Sequence, residues 1–400
     1  MSVTPEERWG GRGHFCQWDL LASCDMRVLH TSDWHLGRAF HRESLLDAQA
    51  AFVDHLVETI RSERVDVVVV AGDVYDRALP SVDAVALCNE ALRRLVAERV
   101  RTILISGNHD SPRRLGFGAD LIDAAGVHLR TDPARVAEPV LVDGVAFYGI
   151  PYLEPEVVRG PWELAERSHT AAIEHAMALI RADLAGRATR SVVLAHAFVT
   201  GGASSDSERD ISVGGVAHVP AAAFAGADYI ALGHLHGRQR MSESVRYSGS
   251  PIAYSFSEAG HLKGSWLVDI GPGGFEGAEF VPAPVPRPIA RVRGRLADLL
   301  DGSEWSRFEG HWLQVTLTDP ERPKGAMERL RQRFPHTLNL AFEPEGATLA
   351  PARAPRLAGR PEIEVALDFV REVRGEPADD DEKRLLQEAV EACRAKEALV

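Results

Sequence analysis

Seven side chains able to bind a metal recur at the ends of five short apolar runs in the first 240 residues. The clusters are Ser32-Asp33-Trp34-His35, Gly72-Asp73-Val74-Tyr75-Asp76, Gly107-Asn108-His109-Asp110, a solitary His196, and Gly233-His234-Leu235-His236. Asp33, His35, Asp73, Asn108, His196, His234 and His236 are too many donors for one ordinary ion. They suit two ions that share a carboxylate, and Asp73, with two oxygens and a central place in the set, is the expected bridge. Mixed imidazole, carboxylate and amide donors favour manganese, iron or zinc over calcium or magnesium. Two ions roughly 3.5–4 Å apart can bind both the attacking and the leaving oxygen of a displacement, which is what phosphate ester hydrolysis needs. His109 is surplus to the donor count. It is expected to face the substrate and to protonate or stabilise the leaving oxygen, with Asp110 orienting its ring.

Taken singly these elements say little. An Asp-x-His at a strand end is usually incidental, and a lone histidine after an apolar run is usually a satisfied core residue. The chain has 16 histidines, of which His14, His169, His311 and His336 read as ordinary packing or surface residues. Specificity comes from the clusters occurring in order, each at the end of a run.

To act together, the clusters must reach one edge of the fold. The runs 27–30, 65–71, 102–106, 191–195 and 228–232 are short and rich in Val, Ile and Leu, which predicts buried strands. Lying side by side, they would gather their ends where α/β sheets bind ligands. Leu46, Val53, Leu56, Val57 and Ile60 fall on one helical face, and Val85, Cys88, Leu92, Leu95 and Val96 on another. Alternating strands and helices predict a layered α/β domain. The segments 140–143 and 145–148, separated by Gly144, read as a hairpin, so the sheet is not purely parallel. Pro282, Pro284, Pro286 and Pro288 mark a stiff connection. Beyond it, strand-like runs at 290–293, 312–318 and 337–342 with a helix at 325–334 predict a small α/β module over 282–343. Residues 344–360, rich in Pro, Ala and Gly, read as a second linker. A tail over 361–400 carries two amphipathic helices, at 362–373 and 382–396, which bury little by themselves and are expected to dock on a partner.

Composition narrows the classes. With 400 residues, 45% apolar and 26% charged, the chain has the balance of a globular protein of two or three domains. Cys16, Cys24, Cys88 and Cys393 have neither metal-like nor disulfide-framework spacing, so a reducing compartment is expected. No apolar run is long enough to span a bilayer, and residues 1–25 carry Glu6, Glu7 and Asp19 without an apolar signal core; a cytoplasmic location is the expectation. The net charge of −13 excludes nucleic-acid affinity resting on overall basicity. Contact with a polyanion would need the metals, a local basic surface or a partner.

The clusters resemble the calcineurin-like metallophosphoesterase superfamily over about residues 26–256. That resemblance implies an α/β fold, a two-sheet sandwich flanked by helices, here followed by the small capping domain and the helical tail. It implies that Asp33, His35, Asp73 and His236 hold one metal, that Asp73, Asn108, His196 and His234 hold the other, and that His109 is the catalytic histidine. The stretches around Asp33-Trp34-His35-Leu36-Gly37-Arg38, Asn108-His109-Asp110-Ser111-Pro112 and Tyr247-Ser248-Gly249-Ser250-Pro251 resemble the SbcD branch, bacterial relatives of the double-strand-break repair nuclease. Members of that branch are manganese-dependent dimeric DNA exonucleases and endonucleases. They process DNA ends in repair, recombination and replication within a heterotetramer with the coiled-coil ATPase SbcC, which the C-terminal helices grip. On this reading residues 26–281 are the nuclease domain, and residues 1–25 are an extension or, preferably, a mis-assigned start. Arg38, His41, Arg42, Arg77, Arg113 and Arg114 are candidate DNA-phosphate contacts, against a plain reading as solvated loop charge. An apolar helix face within 79–95 is the candidate dimer contact. Two other readings stay open: a stand-alone phosphatase or cyclic nucleotide phosphodiesterase on the same core, and a structural protein with a dead site.

Overall fold

The run Val67–Val70 is buried along its whole length, which requires cover on both faces of its sheet. The structure, a computed structural model, describes residues 25–211, 218–345 and 360–398. Residues 1–24 of the expected extension, with Cys16 and Cys24, and nearly all of the expected linker at 344–360 lie outside the described residues. In chain order the principal elements are β1 (Met26–Thr31), α1 (Leu46–Glu63), β2 (Val67–Val70), α2 (Val82–Ala97), β3 (Arg101–Ile105), β4 (Val127–Arg130), β5 (Val140–Val142) and β6 (Val145–Ile150). There follow α3 (His169–Ala185), β7 (Arg190–His196), β8 (Tyr229–Gly233), β9 (Gln239–Arg240), β10 (Val245–Tyr247), β11 (Gly264–Gly271) and β12 (Gly274–Pro282). The C-terminal part holds β13 (Ile289–Gly294), α4 (Leu296–Asp301), β14 (Trp312–Leu317), α5 (Ala326–Arg333), β15 (Thr337–Phe342), α6 (Glu362–Arg374) and α7 (Asp380–Ala398).

Two six-stranded sheets form a sandwich, ordered β12-β11-β1-β2-β3-β4 and β9-β10-β8-β7-β6-β5. The five cluster-bearing strands are therefore not neighbours in one sheet: β1, β2 and β3 run parallel in the first, and β7 and β8 run parallel in the second. The period-two rule explains the sandwich. Val67 and Val69 face inward with Ile103, Ile105, Phe147, Val192 and Leu194 between the sheets. Val68 and Val70 face outward onto Phe52, Val53, Leu56 and Leu95 of α1 and α2. The other outer face, with Tyr148, Val193 and Ile230, is covered by Ile173, Met177 and Ile180 of α3. The hairpin is present, β5 pairing antiparallel with β6 and β6 parallel with β7.

The α2 face is rotated from the expected one. Ala84, Cys88, Ala91 and Leu95 are buried, whereas Val85 and Val96 are exposed. Two alanines pack more closely on the sheet than the valines beside them. Beyond β12, β13, β14 and β15 make a parallel three-stranded sheet that α4 and α5 cover through Leu296, Leu299 and Leu330. This module meets the sandwich where Trp312 stacks on Phe40, ring centroids 5.4 Å apart, beside Ile252 and Phe256.

The tail helices pack on each other, tied by Arg394 to Glu362 at 3.2 Å. Contrary to a tail directed only at a partner, α7 rests on the sandwich: Glu391, buried, pairs with Arg167 at 2.5 Å, and Arg394 lies 3.6 Å from Asp210. Phe369, Val373 and Leu385 stay exposed. Among the described residues no helix is long and apolar enough to cross a membrane.

Candidate metal centre

The ends of β1, β2 and β3 from one sheet meet the ends of β7 and β8 from the other. His35 Nε2 and His236 Nε2 lie 3.0 Å apart, and Asp33 joins them with all ligand atoms within 4.8 Å of one another. Asp73 Oδ2 is 3.5 Å from His35 Nε2 and 3.5 Å from His196 Nε2, so its carboxylate stands between two groups of donors. Asn108 Oδ1 completes the second group, 2.9 Å from His196 Nε2 and 3.1 Å from His234 Nδ1. All seven expected donors are thus brought together. His196 Nδ1 donates to the Ala71 carbonyl at 2.9 Å, which leaves the Nε2 lone pair free to ligate an ion.

The chemistry of this set fits divalent cations. Asp33 and Asp73 are buried beside each other, and neither forms an ion pair with a lysine or arginine among the described residues. Burial, and then the Asp73 charge, holds the Asp33 carboxyl well above the usual range. Burial, and then the neighbouring histidines, keeps His35 and His234 well below theirs. Neutral imidazoles and crowded carboxylates converging on one point leave a deficit of positive charge that an ion would fill.

The backbone is bent to achieve this. Asp33, His35, Asp73 and His234 have φ of 53°, 43°, 49° and 107°, the left-handed region that costs a non-glycine residue about 1–3 kcal/mol. The loops also need glycine: a Cβ on Gly107 would lie 2.1 Å from Asp73 Oδ1, and one on Gly72 (φ 92°) 2.4 Å from His196 Nδ1.

His109 sits beside the donors, its ring edge-on to His35 with centroids 4.7 Å apart. Its Nδ1 lies 2.9 Å from the Asp76 carbonyl oxygen. A carbonyl only accepts, so Nδ1 carries the proton and Nε2 is left for a substrate. The orienting group is therefore Asp76, not Asp110. The Asp110 carboxylate is turned inward and accepts from the backbone N–H of Val74, Tyr75 and Gly107 at 3.0, 2.9 and 2.9 Å. It pins the second cluster to the third, and burial followed by the Asp73 charge pushes it up to about 7. Asp76 is legible as the last residue of Gly-Asp-x-x-Asp, yet nothing in that spacing shows that its carbonyl is the part in use.

The basic candidates divide. Arg38 is half-buried and engaged, 3.3 Å from Asp76, donating to the Ser207 carbonyl at 2.9 Å and lying over the Tyr254 ring. His41, Arg42, Arg77, Arg113 and Arg114 are exposed, and Arg114 donates to the Ala78 carbonyl at 3.2 Å. Next to Asn108 opens a cleft of about 450 Å³, lined by Arg113, Tyr152, Glu154, Arg209 and Arg394 among others; this is large enough for a small ligand. Arg209 and Arg394, distant in sequence from every cluster, carry no signal in the sequence.

Fold and centre together define a metallophosphoesterase. A family model, the calcineurin-like phosphoesterase, matches residues 26–238, more than half of the chain, and the chain belongs to that family. It is a phosphoester hydrolase of a metal-dependent family. A second model, SbcD_C, described as the Type 5 capsule protein repressor C-terminal domain, matches residues 285–374. The two in one chain support an SbcD-type nuclease subunit within the superfamily. Similar solved structures include TT1561 of Thermus thermophilus (13% identical, covering 65% of this chain and 99% of that one, TM-score 0.38). A dimetal phosphatase from Danio rerio is 13% identical over 65% of this chain and 99% of its own, TM-score 0.37. GAP50, the anchor in the inner membrane complex of Plasmodium, is 14% identical over 80% and 98%, TM-score 0.39. These likenesses are too distant to add to the family assignment.

Proposed function

We propose that the chain is a cytoplasmic, manganese-dependent DNA exonuclease and endonuclease, the nuclease subunit of an SbcCD-type complex acting in end processing, repair and recombination. The observation that carries this reading is the pairing, in one chain, of the phosphoesterase domain with the SbcD-type C-terminal domain. Asp33, His35, Asp73 and His236 would hold one ion, and Asp73, Asn108, His196 and His234 the other. Bound there, such ions supply Lewis acidity at phosphate oxygens and a nucleophile at neutral pH. The chain's own contribution is positional. His109, its ring fixed by Nδ1–H donating to the Asp76 carbonyl, presents Nε2 to the leaving oxygen; as the imidazolium, protonated on both nitrogens, it would give that oxygen the Nε2 proton or stabilise its charge and return to the neutral Nδ1–H ring. Arg113, on the cleft beside Asn108, binds the phosphate backbone of the strand being cut.

The net charge of −13 opposes long-range attraction to DNA. A coiled-coil ATPase partner supplies that attraction, in a heterotetramer built on a homodimer of this chain. Leu79, Val82 and Val85, together with Phe117 and Leu121, are exposed large apolar residues suited to the contact between copies.

The test is hydrolysis of linear duplex and single-stranded DNA with manganese, with and without the ATPase and ATP. Phosphopeptides and cyclic nucleotides serve as rival substrates. DNA cleavage that stops on chelation is expected; a strong preference for either rival substrate would assign the core to a stand-alone phosphoesterase.

A further inference from the structure

Behind the metal centre lies a buried ion pair that the hydrolysis does not use. Glu258 is 1% exposed and Lys263 5% exposed, and they meet through Glu258 Oε2 and Lys263 Nζ. A buried pair of this kind costs desolvation that its attraction often fails to repay. Its contacts point to another role. Lys263 Nζ also donates to the His236 carbonyl at 2.7 Å and to Ser250 Oγ at 2.8 Å. The other Glu258 oxygen, Oε1, takes a hydrogen bond from Ser207 Oγ, and Ser207 Oγ lies 2.6 Å from His236 Nδ1. Ser205 Oγ, 2.8 Å from Ser207 Oγ, donates to Glu208 at 2.7 Å, and Glu208 in turn accepts the His236 backbone N–H at 2.7 Å.

Proton counting gives this chain a direction. A carboxylate only accepts, so the one proton of Ser207 points to Glu258. The Ser207 oxygen must then accept from His236, which places a proton on His236 Nδ1. His236 Nε2 is thereby left with its lone pair, on the side where it meets His35 Nε2 at 3.0 Å. We infer that Glu258, held by Lys263 and acting through Ser207, is a positioning residue that fixes His236 in its ligating tautomer. The inference rests on the metal-centre reading above.

Replacement by glutamine should reverse the chain. In Glu258→Gln, Lys263 would hold the amide oxygen, the amide NH₂ would face Ser207, and Ser207 would donate to His236 Nδ1. The proton would move to Nε2, on the ligating side. Nitrogen-15 NMR of the full-length apo protein should show His236 protonated on Nδ1 in the parent and on Nε2 in Glu258→Gln. Manganese titration by calorimetry should show one of two ions bound about 10–100-fold more weakly, the usual scale for losing such a partner. The ion held through Asn108, His196 and His234 should stay. Ser207→Ala removes the link without touching the ion pair; it should weaken the same ion, and it serves if Glu258→Gln fails to fold. An unchanged His236 tautomer with both ions bound at parental affinity would overturn the inference alone. A parent that binds no manganese would overturn the metal-centre reading as well.

Discussion

At the scale of single residues, the centre separates groups placed to hold metal from a group that stands beside them. Asp73 reaches toward both donor sets, through His35 and His196, so Asp73→Ala should lose both activity and more than one ion per chain, read by metal analysis of the purified protein. A variant that retains two ions would remove Asp73 as the bridge. His109→Ala should keep its metal while cleavage falls by about 100-fold or more; parallel loss of metal would make His109 a ligand. Residue types and their order make this proposed division of roles readable in the sequence, because a donor surplus can be counted along the chain. The role of Asp110 is not legible there. Its type and position suit a partner for His109, but only the folded backbone shows three amide N–H groups converging on it.

At the scale of elements, strand ends and sheet contacts govern the centre. Gly107 closes the β3 turn so near Asp73 that Gly107→Ala should displace that carboxylate. Metal affinity should fall by at least 10-fold with the fold kept, as seen by calorimetry and circular dichroism. Parental affinity would show that the loop can yield. The two sheets are also joined by His30 of β1, whose ring meets the Tyr229 hydroxyl at 2.9 Å and the Leu232 carbonyl at 3.1 Å, both on β8. Burial, above all, lowers His30 to about 3. The unfolded chain binds this proton near pH 6.5 and the folded chain only near 3. Stability from His30 is therefore complete above about pH 6.5 and is lost as pH falls toward 3, by about 1.4 kcal/mol per pH unit. His30→Gln should flatten that acid limb in denaturant titrations, whatever it costs at neutral pH; an unchanged slope would assign the limb to other groups. Strand runs are readable because valine-rich stretches such as Val67–Val70 leave few alternatives. Their division between two sheets is not readable from the runs themselves. Nor is the buried face of α2, where Ala84 and Ala91 displace Val85 and Val96.

At the scale of the whole molecule, the tail presents two surfaces with different chemistry. One is polar and faces the sandwich, through Glu391 with Arg167 and Arg394 with Asp210. The other is apolar and open, with Phe369, Val373 and Leu385 exposed by 65%, 70% and 57%. Two short helices with one covered and one uncovered face match a segment that holds its own chain on one side and a helical partner on the other. Helical spacing at 362–373 and 382–396 points to amphipathic helices, but it cannot show which apolar residues α6 and α7 spend on each other. Changing Phe369, Val373 and Leu385 together to Asp should cut capture of the coiled-coil ATPase by at least 10-fold in a pull-down, while manganese-dependent cleavage of single-stranded DNA persists. Arg167→Ala with Glu391→Gln releases the polar contact instead, and capture should then be kept. Equal capture by the parent and the triple variant would remove the apolar face as the docking surface. Loss of capture in the Arg167–Glu391 variant alone would mean that the partner reads the tail only in its folded-back position.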